Sequence, residues 1–131
     1  SSLLSADLVP VIASLGINAN GDVFNINADT TVVQIARQMS AELLVFVTGI
    51  GGIFYDIKDP ASRFTELDET TARQHIDNGI IVEGMIPKVE EALSLITSGV
   101  GTVAIVDTRD PSAFASIAKG NADYGTLIRE R

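Results

Sequence analysis

The chain of 131 residues contains no cysteine and no tryptophan, and it has a single histidine, His75. The lack of cysteine excludes disulfide bonds and thiolate ligands, and one histidine cannot form a zinc-binding cluster. Basic side chains are also few, since 9 lysine and arginine residues stand against 17 acidic residues, for a net charge of −8. Because such a surface repels phosphate backbones, we expect no nucleic-acid partner.

Long apolar runs are missing as well. The longest ones, such as Leu43–Val47, are far too short to cross a bilayer, and no basic, apolar signal segment opens the sequence. Hydrophobic residues make up 46% and charged residues 20%, which is typical of a globular domain. We therefore expect a single domain over residues 1–131 that is cytoplasmic and makes no membrane contact.

Apolar segments alternate with amphipathic ones along the chain. The pattern predicts strands over residues 9–13, 23–26, 43–48 and 102–107 and, at a sheet edge, 125–128, with Asn20-Gly21 as a hairpin turn. It predicts helices that begin near Asp29, Asp68, Gly84 and Pro111. His75 is expected on a helix surface. The alternation predicts an α/β fold, a three-layer sandwich with a mostly parallel sheet and helices on both faces.

A glycine-rich segment, Gly49–Gly52, follows the second buried strand. Ligands bind beyond the carboxyl ends of strands in such sheets, and glycines let the backbone approach a ligand and expose N–H groups to anions. The segment has Phe54 where a dinucleotide fingerprint needs its third glycine, and it lacks the lysine of a phosphate-binding loop. A simple tight turn explains the glycines equally well.

Two further segments carry polar groups that could bind a ligand. Gly84–Lys88 opens a helix, where the positive end of the helix dipole attracts anions. Lys88 is unfavourable there unless an anion is bound, although a solvated surface lysine is the alternative. Asn25 at a strand end could bind a carboxylate or amide, whereas Asp29 is explained by helix capping alone.

Taken together, these segments resemble the N-acetylglutamate kinases of the amino acid kinase superfamily. Asn25–Asp29 is followed about sixty residues later by Gly84–Val89, in the order and spacing of that family. Between them, the run from Ala41 through Thr48–Ile53 resembles the family's strand and nucleotide loop. Gly125-Thr126 matches its closing segment, so the resemblance extends from Leu4 to Ile128.

The resemblance implies an enzyme that phosphorylates the side-chain carboxylate of N-acetyl-L-glutamate with ATP, in arginine biosynthesis. Asn25 would hold the acetylglutamate, Asp29 would orient the catalytic lysines, and Lys88 would stabilise the transferred phosphoryl group. Two segments, ending at Phe54 and at Met85, would border ATP: Thr48, Gly49, Ile50, Gly51, Gly52, Ile53, Phe54, then Ile80, Ile81, Val82, Glu83, Gly84 and Met85. Mg²⁺ would arrive on the nucleotide phosphates, without a dedicated metal site.

The sequence departs from the family in two respects. Gly49 stands where the family usually has an acidic residue, and the chain resembles only the carboxyl-terminal, nucleotide-binding half, with the amino-terminal lobe absent. We therefore expect the 131-residue chain alone to be inactive, and its open apolar edge to favour a homo-oligomer. Two alternatives stay open: a related kinase that acts on aminoadipate, carbamate or glutamate, or a non-catalytic nucleotide-sensing domain.

Overall fold

The structure is a computed structural model that describes residues 3–107, 109 and 112–130. The chain divides into two compact units, Ser1–Ile35 and Ala36–Arg131. The division falls inside the first long helix, α1 (Ala28–Met39).

The first unit contains a β-hairpin, formed by β1 (Leu15–Ile17) and β2 (Val23–Asn25). The side chain of Asn18 accepts hydrogen bonds from the N–H groups of Asn20 and Asp22, both at 2.9 Å, which closes the predicted Asn20-Gly21 turn. The strand predicted over residues 9–13 is wrong. That segment belongs to no strand, and its side chains Val9, Val11 and Ile12 are 88%, 96% and 60% exposed.

The helix α1 begins earlier than the sequence indicates, with its cap two residues before the predicted one. The Oδ1 atom of Asn27 accepts a hydrogen bond from the Thr30 N–H at 3.0 Å, so Asn27 caps the helix. Asp29, predicted as the cap, instead lies in the first turn, where its negative charge is favourable toward the helix dipole.

The second unit contains a four-stranded sheet with the order β3-β5-β6-β4. Its strands are β3 (Leu43–Val47), β4 (Glu66–Leu67), β5 (Thr102–Val106) and β6 (Gly125–Arg129). β3 pairs with β5 and β4 with β6 in parallel, and only the β5–β6 pair is antiparallel. The mostly parallel sheet is therefore confirmed. The edge position predicted for residues 125–128 is wrong, because the two-residue strand β4, which escaped prediction, covers that side of β6.

The described part of this unit holds three complete α-helices: α2 (Glu69–Asp77), α3 (Ile86–Thr97) and α4 (Ser112–Ala118). Asp68 caps α2 as predicted, since its carboxylate accepts the Thr71 N–H at 2.8 Å while the Thr71 hydroxyl accepts the Asp68 N–H at 3.0 Å. Pro87 occupies the first turn of α3, also as predicted. Pro111, the predicted start of α4, lies outside the described residues.

Helices cover both faces of the sheet, which confirms the layered α/β architecture. On one face, Ile117 of α4 belongs to a buried cluster with Ala104, Val106 and Leu127. On the opposite face, Lys88 of α3 lies over the ring of Phe46. Consecutive residues are buried along β5 and β6, as expected of strands covered on both sides.

Candidate functional site

The loop that follows β3 is held in place by two threonine hydroxyls. The N–H of Gly51 donates to Thr48 Oγ1 at 3.0 Å, and the N–H of Ile53 donates to Thr126 Oγ1 at 2.9 Å. The Thr48 N–H donates to the Val106 carbonyl at 2.9 Å, which continues the pairing of β3 with β5. The Gly51 amide, which belongs to the segment expected to expose N–H groups to anions, and the Ile53 amide are thus already engaged within the protein.

Two of the loop glycines are required by geometry. Gly51 has φ +77°, and a Cβ there would lie 2.5 Å from the Cβ of Asp107. Gly52 has φ +151°, and a Cβ there would lie 2.8 Å from Cδ of Arg63. Gly49 has open space around it. The tight conformation therefore depends on Gly51 and Gly52, and not on Gly49.

A cavity of about 310 Å³ separates this loop from the segment that leads into α3. Its volume lies in the range of small-molecule sites, and apolar side chains form most of its wall. The lining residues are Ile50, Gly52, Ile53, Phe54, Tyr55, Asp56, Ile57, Gly79, Ile80, Ile81, Val82 and Met85.

Most residues predicted to border the nucleotide meet at this cavity, since both predicted segments contribute to its wall. Thr48, Gly49, Gly51 and Gly84 are not among the lining residues. Sequence reasoning missed Tyr55–Ile57 and Gly79, which line the cavity as direct continuations of the two predicted segments. Extending each segment by a few residues would have found them.

Lys88 lies in the amino-terminal turn of α3, shortly after Met85 in the chain. A short 3₁₀ turn, Glu83–Met85, leads into the helix, and Met85 lines the cavity. Residues three apart on a helix share one side, which places Lys88 on the side of Met85. Its Nζ atom is 5.5 Å from the centroid of the Phe46 ring, at cation–π distance.

Asn25 and Asp29 belong to the first unit, whereas Lys88 belongs to the second. Asn25 is exposed at the end of β2, and Asp29 is half-buried in the first turn of α1. That Asn25 holds the acceptor and that Asp29 orients the catalytic lysines both stay predictions.

A second cavity, of about 340 Å³, lies on the other side of the loop and shares Ile50 and Phe54 with the first. Asp107 and Arg109 line it and are paired, with Arg109 Nε donating to Asp107 Oδ2 at 2.7 Å. Hydrogen bonds from the side chain and backbone of Arg109 hold the pKa of Asp107 below its usual value. This side of the loop therefore carries a carboxylate with its own counter-ion.

His75 differs from its prediction as a surface residue. It is half-buried, its ring centroid lies 4.5 Å from that of Phe64, and its Nδ1 atom is buried without a hydrogen-bond partner in the structure. Helical spacing alone could not show that Phe64, which precedes α2 in the chain, packs against His75.

Within the described ranges, no group of three or more histidine, aspartate or glutamate side chains is placed to hold a metal ion. The helices described here are all too short or too polar to traverse a bilayer.

Comparison with known proteins extends these observations. The model of the Amino acid kinase family matches residues 1–107. The chain is 36% identical over 124 residues to the acetylglutamate kinase of Sorangium cellulosum and 39% identical over 129 residues to that of Synechococcus sp. strain WH7803. These matches cover 95% and 98% of this chain, but the chain spans only 44% of the length of either relative.

A solved structure shows the same fold. The N-acetylglutamate synthase of Neisseria gonorrhoeae, complexed with coenzyme A and N-acetyl-glutamate, superimposes with a TM-score of 0.82 at 22% identity. The match covers 99% of this chain and 30% of that one. From the matched family model, supported by the two relatives, the chain belongs to the amino acid kinase family.

Proposed function

We propose that this chain is the ATP-binding portion of an enzyme that phosphorylates the side-chain carboxylate of N-acetyl-L-glutamate. One observation carries the proposal: the two segments that the family resemblance implies to border ATP both line one cavity. The identity of 36–39% to acetylglutamate kinases supports the choice of acceptor. In this proposal residues 1–131 correspond to a carboxyl-terminal, nucleotide-binding lobe.

The apolar cavity suits the base of the nucleotide. Ile50, Ile57 and Val82 line it with apolar side chains that are 44–63% exposed and so offer surface to a planar ring, whereas Ile53 and Ile81 are almost completely buried. The loop amides of Gly51 and Ile53 are already hydrogen-bonded, so the triphosphate needs other donors. The start of α3 offers the positive end of the helix dipole and the charge of Lys88, both of which attract negative charge.

Phosphoryl transfer requires positioning and charge stabilisation more than covalent chemistry by the protein. A carboxylate oxygen of the acceptor attacks the γ-phosphorus, the bond to ADP breaks, and an acyl phosphate forms. Lys88 would stabilise the negative charge on the moving group, Asn25 would bind the acceptor, and Asp29 would orient Lys88. Mg²⁺ carried by the phosphates of ATP would neutralise part of their charge.

Such a step belongs to amino-acid biosynthesis in the cytoplasm, in line with a role in making arginine. The test joins this chain to the portion of the Synechococcus relative that lies outside the match, and measures ADP release. We expect ADP release that depends on N-acetyl-L-glutamate and that falls at least 100-fold, about 3 kcal/mol of transition-state stabilisation, in Lys88→Ala. Lys119→Ala, an exposed lysine of the same unit, is the matched control and should retain full activity.

A panel of acceptors completes the test. Preference for aminoadipate, carbamate or glutamate would replace the proposed acceptor while keeping the kinase. ATP binding without any ADP release would favour a nucleotide-sensing domain.

A further inference from the structure

Among the residues that the structure describes, Thr126 is a polar residue that is completely buried. Its neighbours in β6, Leu127 and Ile128, are also fully buried, so a hydroxyl is unusual at this position. A buried hydroxyl is costly unless it is hydrogen-bonded, and this one is bonded on both sides. It accepts the Ile53 N–H at 2.9 Å and donates to the Phe64 carbonyl at 2.6 Å.

These two bonds join β6 to two earlier segments of the chain, the loop after β3 at Ile53 and the segment at Phe64. Ile53 is held a second time, because its carbonyl accepts the Phe64 N–H at 2.9 Å. The peptide groups on both sides of Ile53 are therefore fixed, and Ile53 itself is 1% exposed.

The segment that Thr126 holds is a wall of the cavity. Gly52, Ile53 and Phe54 all line it. A Cβ on Gly52 would lie 3.0 Å from Thr126 Oγ1, so the hydroxyl also packs directly beneath this glycine. Thr126 Oγ1 thus fastens the wall directly to β6.

We propose that Thr126 is a positioning residue for nucleotide binding, which acts by holding the Gly52–Phe54 wall through the Ile53 amide. The inference rests on the proposed function, in which the nucleotide occupies this cavity. Valine has nearly the shape of threonine and is cheaper to bury, but it would leave the Ile53 N–H buried without an acceptor. The wall would then move to find a partner, and the cavity would lose its fit to the base.

The test compares three variants of the 131-residue chain. Thr126→Val removes the hydroxyl and keeps the shape, Thr126→Ser keeps the hydroxyl, and Ile128→Val is a buried control in the same strand that only loses packing. The Kd for MgATP is measured by titration calorimetry, and the exchange rate of the Ile53 amide by NMR. Thermal unfolding gives the stability of each variant.

We expect Thr126→Val to raise the Kd at least tenfold and to speed exchange of the Ile53 amide at least tenfold. Thr126→Ser should stay within about threefold of the parent in both, and Ile128→Val should leave both unchanged while lowering the Tm. Equal effects of Thr126→Val and Ile128→Val on either readout, or an unchanged Ile53 amide in Thr126→Val, would overturn the inference. A parent chain that does not bind MgATP would instead contradict the proposed function, and the amide exchange would still decide the role of Thr126 in holding the wall.

Discussion

Two pairs of antiparallel strands in this molecule have similar apolar sequences and opposite environments. In the β5–β6 pair, Val103–Val106 and Gly125–Ile128 are buried at every position. In the β1–β2 hairpin, Leu15, Ile17, Val23 and Phe24 are between 52% and 72% exposed. The difference lies in the helices, since α3 and α4 cover the two faces of β5 and β6. Apolar composition alone therefore does not make a core, which also needs packing by other elements.

The candidate site follows the same division. The cavity and Lys88 lie in the second unit, which contains the buried sheet, whereas Asn25 and Asp29 lie in the first. The part of the proposed site that would bind the nucleotide therefore lies in the unit that contains the buried sheet.

The largest expected effect separates the two strand pairs by one matched substitution. Ile105→Ala in β5 removes a side chain that is fully buried, and should lower the free energy of unfolding by about 2–5 kcal/mol. Ile17→Ala in β1 removes one that is 72% exposed, and should change it by less than about 0.5 kcal/mol. Urea denaturation measures both. Comparable losses of stability in the two variants would show that the hairpin is packed like the β5–β6 pair.

The next effect distinguishes two glycines of one loop. Gly51→Ala introduces a Cβ at positive φ that meets Asp107, and should cost about 1–3 kcal/mol of stability. Gly49→Ala meets nothing and should cost less than about 0.5 kcal/mol. Thermal unfolding of the two variants tests this. If Gly49→Ala were the more damaging, the described conformation of the loop would be wrong.

A smaller effect concerns the cap of α2. Asp68→Ala leaves the Thr71 N–H without its acceptor and should cost about 1 kcal/mol. Asp68→Asn keeps a capping oxygen and should cost less. Asp77→Ala, at the other end of the same helix, controls for the loss of charge. Denaturant midpoints rank the three variants, and equal losses in all three would exclude a capping role.

The smallest effect is the pH dependence at Asp107. Its pKa is lower in the folded chain than the ordinary value of about 3.9, because Arg109 hydrogen-bonds the carboxylate. The pair therefore stabilises the fold above the unfolded pKa, and this contribution is lost as the pH falls through the lowered pKa. Arg109→Gln should be slightly less stable than the parent at pH 6, and the difference should vanish in strong acid. A difference that persists there would rule out the ion pair as its cause.

Much of the second unit could be predicted from the sequence, because its signals are local and strong. The apolar run at 43–47 and the Asp68 cap both appear in the structure as predicted. The short strand β4 could not be predicted, since two residues carry no periodicity. The environment of His75 escaped for a related reason: it depends on Phe64, which only the tertiary fold brings near.

The first unit was predicted less well, and the reason is physical. The strand expected over residues 9–13 was inferred from apolar character, which predicts burial only where another element covers it. Thr126 illustrates the converse. A polar residue in a buried strand was visible in the sequence, but its two hydrogen-bond partners are 73 and 62 residues away along the chain.

The most direct test of the nucleotide site is an NMR titration of the ¹⁵N-labelled 131-residue chain with MgATP. The account predicts that chemical-shift changes cluster at Ile50–Ile57, Gly79–Met85 and the start of α3, while the β1–β2 hairpin stays unchanged. Saturating changes confined to the hairpin, or no changes at millimolar MgATP, would contradict the assignment of the cavity to the nucleotide.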